Sequence, residues 1–357
     1  LILQEDHGLP LVAVSVFYRV GSAHEPAGRS GFAHLFEHLM FTGTERVPDG
    51  GFDEILEASG AWSYASTAED YTEYHEGGRG LLLPTMLWLE ADRMEALGDA
   101  VTQEKLDIQR EVVRNERREG YDNAPYGPAE IVLYERLYPR GHPYHEHVIG
   151  SHEDLQKASL EDVRSFFART YVPSNASIAI VGDFDTEPTI ALVERLFESL
   201  PRGEALPAGP PRPATLERAE RLSLRDDVRL PRITSAWHTP ALSADGDADL
   251  DLVAAVLTDG KSSRLGWRLV HEEAIATEVV AWQESRRYGS IFRMDVQVAD
   301  VAYLDRVEEI VREELQAMRT TEVSSEELDR ARASYLHDEL SLRQGLVERA
   351  ELLNLYD

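Results

Sequence analysis

The sequence lacks cysteine, an excess of basic residues and any long hydrophobic run. Without cysteine, disulfides, thiolate zinc ligands and a cysteine nucleophile are all excluded. The 36 basic residues are outnumbered by 65 acidic ones, and the net charge of −29 argues against a nucleic-acid partner, because phosphate binding needs a basic surface. No apolar run approaches the roughly 20 residues of a membrane span. The acidity indicates either solubility or a preference for basic peptides.

The length and the order of predicted elements indicate two domains. A chain of 357 residues is too long for one ordinary core. Five prolines and two glycines in residues 201–215 predict a linker. We therefore expect an N-terminal domain at 1–205, a linker at 206–218, and a second, homologous domain at 219–357 that is truncated at its C-terminus. The recurring strand–helix order predicts an α+β protein with two similar α/β sandwich halves, each a mixed sheet flanked by helices.

Hydrophobic periodicity gives the individual elements. The alternating residues 65–76 predict one strand, and the apolar residues 31–41 predict a short buried helix. Further helices are expected over 102–119 and 262–274, and long helices from about residue 304 onward. The other predicted strands are 11–20, 176–184, 232–240 and a pair around a turn at Tyr288-Gly289.

One short motif carries chemistry: His34, Glu37 and His38 form the pattern H-x-x-E-H. Residues four apart lie on one helix face, so both imidazoles can reach one ion. Zinc binds imidazole nitrogen readily, and Glu37 faces the same side as a candidate general base. The surrounding residues are apolar on nearly every side, which predicts burial, and buried histidines need partners. The motif therefore indicates a zinc site of the inverted zincin type.

The helix over 102–119 offers a third ligand. Leu106, Ile108, Val112 and Val113 define its apolar face, and Glu116 falls near the centre of that face. We therefore expect Glu116 to bind the ion, the alternative being a buried partner of an arginine. Glu111 and Glu119 are expected to be solvated.

Several motifs in order make the chain resemble the pitrilysin/insulinase family of zinc metallopeptidases, especially the bacterial relatives of mitochondrial processing peptidase. These motifs are GFAHLFEHLMFTGT, LWLEADRM, QREVVRNERR, DNAPYG, HPYHEHVIG and YVPSNASIAIVGDF. The resemblance implies a LuxS/metallopeptidase-like fold and one zinc ion per chain. It implies zinc bound by His34, His38 and Glu116, and Glu37 as the base that helps zinc to activate water for attack on a peptide carbonyl.

Two nearby positions depart from the family pattern. Gln109 stands where a second, auxiliary glutamate is usual. Tyr64 stands where an asparagine usually precedes Ala-x-Thr in the strand that pairs with substrate. The backbone of 63–67 remains suited to pairing with an extended peptide, so Tyr64, Ala65 and Ser66 are the predicted substrate-binding residues.

The second half departs more strongly. The family completes its active site with an arginine and, seven residues later, a tyrosine, but here Val270 and Thr277 occupy those positions. We therefore expect an endopeptidase for unfolded or short peptides whose Arg/Tyr pair comes from a homologous subunit or a missing C-terminal half, within a clam-shell chamber. The alternatives are a metal-binding but non-catalytic subunit, drift in an inactive enzyme, and a zinc hydrolase of non-peptide amides. The resemblance slightly favours an exported, periplasmic bacterial protein over a cytoplasmic one.

Two other motifs are interpreted as structural. His142, His145 and His147 flank a proline and share no helix face, which indicates a loop rather than a metal cluster. GKSSR at 260–264 lacks the glycine spacing of a phosphate loop and predicts a turn followed by a helix.

Overall fold

The computed structural model describes residues 1–204, 206 and 213–357. Within them lie eight strands and twelve α-helices. The strands are β1 (Ile2–Glu5), β2 (Leu11–Tyr18), β3 (Trp62–Thr67), β4 (Thr72–Arg79), β5 (Ala176–Gly182), β6 (Arg232–Thr239), β7 (Ala276–Glu284) and β8 (Ser290–Val298). The helices are α1 (Phe32–Leu39), α2 (Gly51–Ala58), α3 (Leu83–Ala100), α4 (Gln103–Arg117), α5 (Gly127–Leu137), α6 (His152–Lys157), α7 (Leu160–Thr170), α8 (Thr186–Phe197), α9 (Asp247–Thr258), α10 (Leu304–Thr320), α11 (Ser325–Leu342) and α12 (Leu346–Leu355). None of the described helices is both long and apolar enough to cross a bilayer.

The chain folds into two compact units whose segments alternate along the sequence. The first unit comprises Leu1–Gly120, Glu146–Ala208 and Leu342–Asp357. The second comprises Tyr121–His145 and Gly209–Ser341. The units thus depart from the predicted domain bounds at 121–145 and at the C-terminal segment. In the predicted linker, residues 207–212 lie outside the described part, and 213–218 form neither helix nor strand.

The first unit is built on a five-stranded mixed sheet in the order β1-β5-β2-β4-β3. The β1–β5 pair is parallel and the other pairs are antiparallel. Every residue of β2 from Val12 to Tyr18 is buried, because helices cover both faces of this central strand. This arrangement confirms the expected α+β class and the mixed sheet flanked by helices.

The two faces of this sheet pack against different helices. Tyr18 and Tyr74 lie on the face of α1 and α3, where their rings meet edge to face at 5.8 Å. On the opposite face α12 packs over β2 and β5, and Asn354 Nδ2 donates to the carbonyl of Ser15 at 2.9 Å. Ala350 of α12 is fully buried against Ala179 of β5. This packing explains why the last helix belongs to the first unit rather than to the predicted second domain.

The predicted strand over 65–76 is wrong, because this segment is a hairpin. Strands β3 and β4 pair antiparallel and end at the Thr67–Thr72 pair, and Ala68 donates its N–H to the carbonyl of Tyr71 at 2.9 Å. Residues 68–71 thus form a four-residue turn, with Glu69 and Asp70 at its tip. The alternation of polar and apolar residues continues through so short a turn, so periodicity alone does not reveal the reversal.

The second unit contains a three-stranded antiparallel sheet in the order β6-β8-β7. Its core is formed by apolar residues of β8, α9 and α10, among them Met294, Leu257 and Ile310, each at most 1% exposed. A π-helical turn, Gly266–Glu272, occupies most of the segment predicted as a helix over 262–274. The predicted turn at 260–264 is confirmed, since Ser263 Oγ donates to the carbonyl of Gly260 at 2.7 Å.

Packing of α12 on the first sheet is testable by enlarging Ala350. We expect Ala350→Leu to lower the free energy of unfolding by about 1–3 kcal/mol, because added methyl groups overpack a closed contact. Urea denaturation followed by circular dichroism measures this loss. Ala333→Leu on the exposed face of α11 is the matched control and should change stability by less than about 0.5 kcal/mol. Equal effects at the two positions would contradict the placement of α12.

Candidate metal centre

Helix α1 is short, and its N-terminus is held by side-chain and glycine contacts. Gly31 precedes it with φ of 87°, a left-handed conformation that favours glycine, and a Cβ there would lie 2.9 Å from Gly150 Cα. The Glu25 carboxylate accepts backbone N–H groups of Gly31 at 3.0 Å and Ala33 at 2.7 Å. Glu25 therefore caps the helix that carries the H-x-x-E-H motif.

The three predicted ligands come together. The Nε2 atoms of His34 and His38, one helical turn apart, are 3.3 Å from each other. Glu116 on α4 brings Oε2 to 3.6 Å from His34 Nε2 and 3.2 Å from His38 Nε2. For a tetrahedral zinc ion with bonds of about 2.1 Å, pairs of ligand atoms stand about 3.4 Å apart. The three separations thus match three edges of a zinc coordination tetrahedron, and the donor set fits zinc.

The protonation states of these groups also suit a metal. Burial, and then the neighbouring His38, lowers the pKa of His34 to about 4, so this ring is neutral near pH 7. The hydrogen bond with His38 lowers the pKa of Glu116, which favours the carboxylate form. Metal ligands must be deprotonated in this way. The second nitrogen of His34, Nδ1, is buried without a hydrogen-bond partner, so the polar contacts of this ring are made through Nε2.

Glu37 lies one residue before His38 and points toward β3. Its Oε2 accepts the hydroxyl of Thr67 at 2.6 Å. Burial raises the pKa of Glu37, while the hydrogen bond from Thr67 opposes this rise. A carboxylate with a raised pKa is a stronger base, and this is the property that a general base needs.

Thr67 was not assigned a role from the sequence, although it is the threonine of the Ala-x-Thr pattern in YAST. It closes the β3–β4 hairpin through its pairing with Thr72. Glu25 was also missed. A carboxylate six residues before a glycine at a helix start was the available signal, but only the folded loop brings it to the helix.

The predicted substrate-binding residues lie on β3, which is the edge strand of the first sheet. The side chain of Tyr64 is 61% exposed, and its ring stacks on His75 at 5.4 Å. Ser66 donates its hydroxyl to Glu73 at 2.8 Å, and Ala65 is half-buried. Edge strands present unpaired backbone groups to which an extended peptide can add.

The prediction of the apolar face of α4, on which the choice of Glu116 rests, is partly wrong. Leu106 and Val113 are fully buried on α4, but Ile108 is 52% exposed and Val112 is 41% exposed. The buried face follows the seven-residue spacing from Leu106 to Val113, and Glu116 lies beside it one turn later. Gln109 is half-buried, two turns before Glu116.

The predicted solvation of Glu111 agrees with its surroundings, because it is exposed and ion-paired with Arg114. The histidines after α5 make local contacts, as a structural loop requires. His145 Nδ1 lies 2.7 Å from the carbonyl of Tyr138, and His147 Nδ1 accepts the N–H of Ile149 at 3.2 Å.

The two positions expected to lack the Arg/Tyr pair lie in the second unit. Val270 is half-buried in the π-helical turn and packs against that unit's core, and Thr277 is exposed on β7. The nearby Arg268 is bound to Glu313 and Glu314, each at 2.7 Å. Arg268, the arginine of this turn, is therefore already engaged in two ion pairs.

Two protein-family models match the chain. The model described as "Insulinase (Peptidase family M16)" matches residues 1–136, and the model described as "Peptidase M16 inactive domain" matches residues 157–335. The first range contains His34, Glu37, His38 and Glu116, and the second contains none of them.

Individual proteins also match over most of the chain. A zinc protease named PqqE from Helicobacter pylori is 29% identical over 349 residues, which cover 97% of this chain and 78% of that protein. A probable mitochondrial-processing peptidase subunit beta from Schizosaccharomyces pombe is 26% identical over 196 residues, 54% of this chain and 41% of that protein.

Solved structures of proteases also match the fold of this chain. A crystal structure of a protease from Helicobacter pylori has a TM-score of 0.86 and 28% identity, with 99% of this chain and 86% of that chain covered. The periplasmic protease PqqL from Escherichia coli has a TM-score of 0.78 at 20% identity, with 99% of this chain and 40% of that chain covered. At that identity the second comparison shows the fold alone.

The metal centre is testable through Glu116. We expect Glu116→Ala to weaken zinc binding by more than about 100-fold, since loss of even an outer-shell partner costs about 10–100-fold. Competition with a chromophoric chelator measures the dissociation constant. Glu111→Ala removes an equal charge from the exposed side of the same helix and should leave the constant unchanged. A similar loss in both variants would attribute the effect to general charge rather than ligation.

Proposed function

Because the chain belongs to the insulinase family of peptidases, family M16, we propose that it is a zinc-dependent endopeptidase that cleaves unfolded or short peptides. The observation that carries this proposal is the triangle of His34 Nε2, His38 Nε2 and Glu116 Oε2, with separations of 3.2–3.6 Å. The names of several relatives as zinc proteases support the same metal. One ion is proposed at this site, because the cluster of His34, His38 and Glu116 offers one set of three ligand atoms.

His34, His38 and Glu116 would supply three protein ligands to a zinc ion, the number typical of catalytic rather than structural zinc sites. When bound by these residues, zinc would act as a Lewis acid and lower the pKa of water. The half-exposed carboxylate of Glu116 keeps this side of the site accessible to solvent, since its side chain is 49% exposed.

Glu37 is the proposed general base. The Thr67 hydroxyl occupies Oε2, which orients the carboxylate and leaves Oε1 to take a proton from the attacking water. Burial raises the pKa of Glu37, so the carboxyl can hold that proton and then deliver it to the leaving amine nitrogen. Thr67 acts as a positioning residue, because its hydroxyl contacts the base and not the substrate.

The substrate is proposed to lie as an added strand along β3. Three features support this arrangement: β3 is the sheet edge, Thr67 at its end contacts Glu37, and α1 packs against it. Strand addition uses backbone hydrogen bonds, so it suits an extended chain of varied sequence and disfavours folded proteins. Tyr64 offers an exposed ring next to such a strand.

A homologous partner is proposed to complete the site. Val270 and Thr277 offer neither a guanidinium nor a phenol, and Arg268 is tied to two glutamates. During peptide hydrolysis negative charge develops on the carbonyl oxygen, and a hydrogen-bond donor to that oxygen increases the rate. A second homologous subunit or further chain that carries the Arg/Tyr pair would supply it. The competing function is a metal-binding subunit that holds peptide for a catalytic partner.

The role of Glu37 is tested by Glu37→Gln, which keeps the shape and removes the base. We expect zinc content to stay unchanged and kcat for a fluorogenic peptide to fall by at least about 10²–10⁴-fold. Metal analysis and steady-state kinetics provide the two readouts. Glu54→Gln, on the exposed side of α2, is the control and should retain full activity. Full turnover by Glu37→Gln would remove Glu37 from the mechanism.

The partner is tested by mixing. A family homologue with the Arg/Tyr pair is first inactivated by changing the glutamate of its own H-x-x-E-H motif to glutamine. Adding it to this chain should raise the rate of peptide cleavage by about 10²–10³-fold, which is the usual effect of one hydrogen-bond donor to the oxyanion of the transition state. The same homologue with Arg→Ala and Tyr→Phe should give no rise. If zinc is bound and no mixture cleaves peptide, the non-catalytic function is supported instead.

A further inference from the structure

The first unit carries a second cluster of ligand-type side chains on the face of its sheet opposite Glu37. Glu73 and His75 are two residues apart on β4 and therefore point to the same face, where Glu351 of α12 meets them. One nitrogen of the imidazole and one oxygen from each carboxylate all lie within 4.8 Å of one another. Unlike the exposed trio of Glu5, His7 and Asp185, this cluster is enclosed between sheet and helix.

His75 has an unusual environment for a simple ion pair. Its side chain is 8% exposed, and its Nδ1 lies 2.8 Å from Glu351 Oε1. This contact does not have hydrogen-bond geometry, so the buried nitrogen has no hydrogen-bond partner. Two adjacent ligands of a six-coordinate ion, each bonded at about 2.1 Å, stand about 3.0 Å apart. The separation and the off-line approach thus suit shared coordination better than a hydrogen bond.

The charges around the cluster also call for a cation. Glu73 and Glu351 are both half-buried, and Glu73 accepts the Ser66 hydroxyl at 2.8 Å. Trp62 and Tyr64 cover His75 with rings at 5.6 Å and 5.4 Å, which limits access of water from that side. Two carboxylates and one imidazole in such a place are stabilised by a divalent positive charge.

We propose that Glu73, His75 and Glu351 form a second metal site, which binds a divalent first-row transition ion such as Mn²⁺ or Zn²⁺. One imidazole and two carboxylates form a mixed nitrogen and oxygen donor set that these ions accept, and water completes the coordination. Such an ion links the edge hairpin β3–β4 to α12. The site is separate from His34, His38 and Glu116, and its existence does not depend on the peptidase function.

The test removes the first site and titrates the second. The double variant His34→Ala/His38→Ala is titrated with MnCl₂ and followed by electron paramagnetic resonance of free Mn²⁺. We expect a single equivalent to bind, and binding to be lost on adding Glu351→Gln. The control Glu348→Gln, added to the same double variant, removes an equal charge one turn earlier on the exposed side of α12. This variant should bind Mn²⁺ as the double variant does. Circular dichroism checks that each variant is folded.

Wild-type protein keeps the test decisive if the double variant does not fold. After zinc loading and dialysis, wild type should hold two equivalents and Glu351→Gln should hold one. A crystal collected at the zinc absorption edge should show an anomalous peak beside His75. A single equivalent in wild type, or unchanged binding in Glu351→Gln, would overturn the proposal.

Discussion

Helices cover both faces of the central strands of the first sheet, so a polar side chain there is shielded from water and can be satisfied only by a partner inside the protein. The pleat of β3 decides which partner that is. Ser66 and Thr67 are neighbours, yet their hydroxyls point to opposite faces and donate to Glu73 and Glu37 at 2.8 Å and 2.6 Å. One hairpin thus fixes the candidate base on one face and the proposed second cluster on the other. A register slip of one residue would exchange the two faces and disrupt both.

On the sheet face that packs against α1 and α3, a buried arginine joins α3 to the sheet. Arg93 of α3 is 2% exposed, donates to Glu90 at 2.9 Å and lies 3.4 Å from Glu76 of β4. Its guanidinium also stacks on Tyr74 at 4.3 Å and on Phe52 at 4.5 Å. Breaking such a buried pair leaves an uncompensated charge, although the intact pair adds little net stability. The motif LWLEADRM therefore fixes how α3 meets the sheet rather than contributing to the metal centre.

The sequence predicts those features that depend on local pattern. The H-x-x-E-H helix follows from apolar neighbours on nearly every side, and the family resemblance is confirmed by the matching family models. Glu116 was selected although two of the four residues that defined its face, Ile108 and Val112, are exposed. Ile108 and Val112 would be buried only if another element packed against them. The periodicity of one helix cannot show which of its apolar residues another element covers. The Thr67 contact and the packing of α12 join residues distant in sequence, which a local pattern does not encode, and the short hairpin turn does not interrupt the alternation that predicts a strand.

The assignment of α12 to the first sheet has a consequence for biosynthesis. The ribosome completes the strands of the first unit early, but the segment that covers β2 and β5 follows only after the second unit has been translated. The apolar surface around Ala179 and Val181 therefore lacks this cover until α12 has been synthesised. Domains otherwise tend to fold in order as they emerge. Here the sheet face under α12 is completed out of sequence order, after the intervening residues of the second unit have been made.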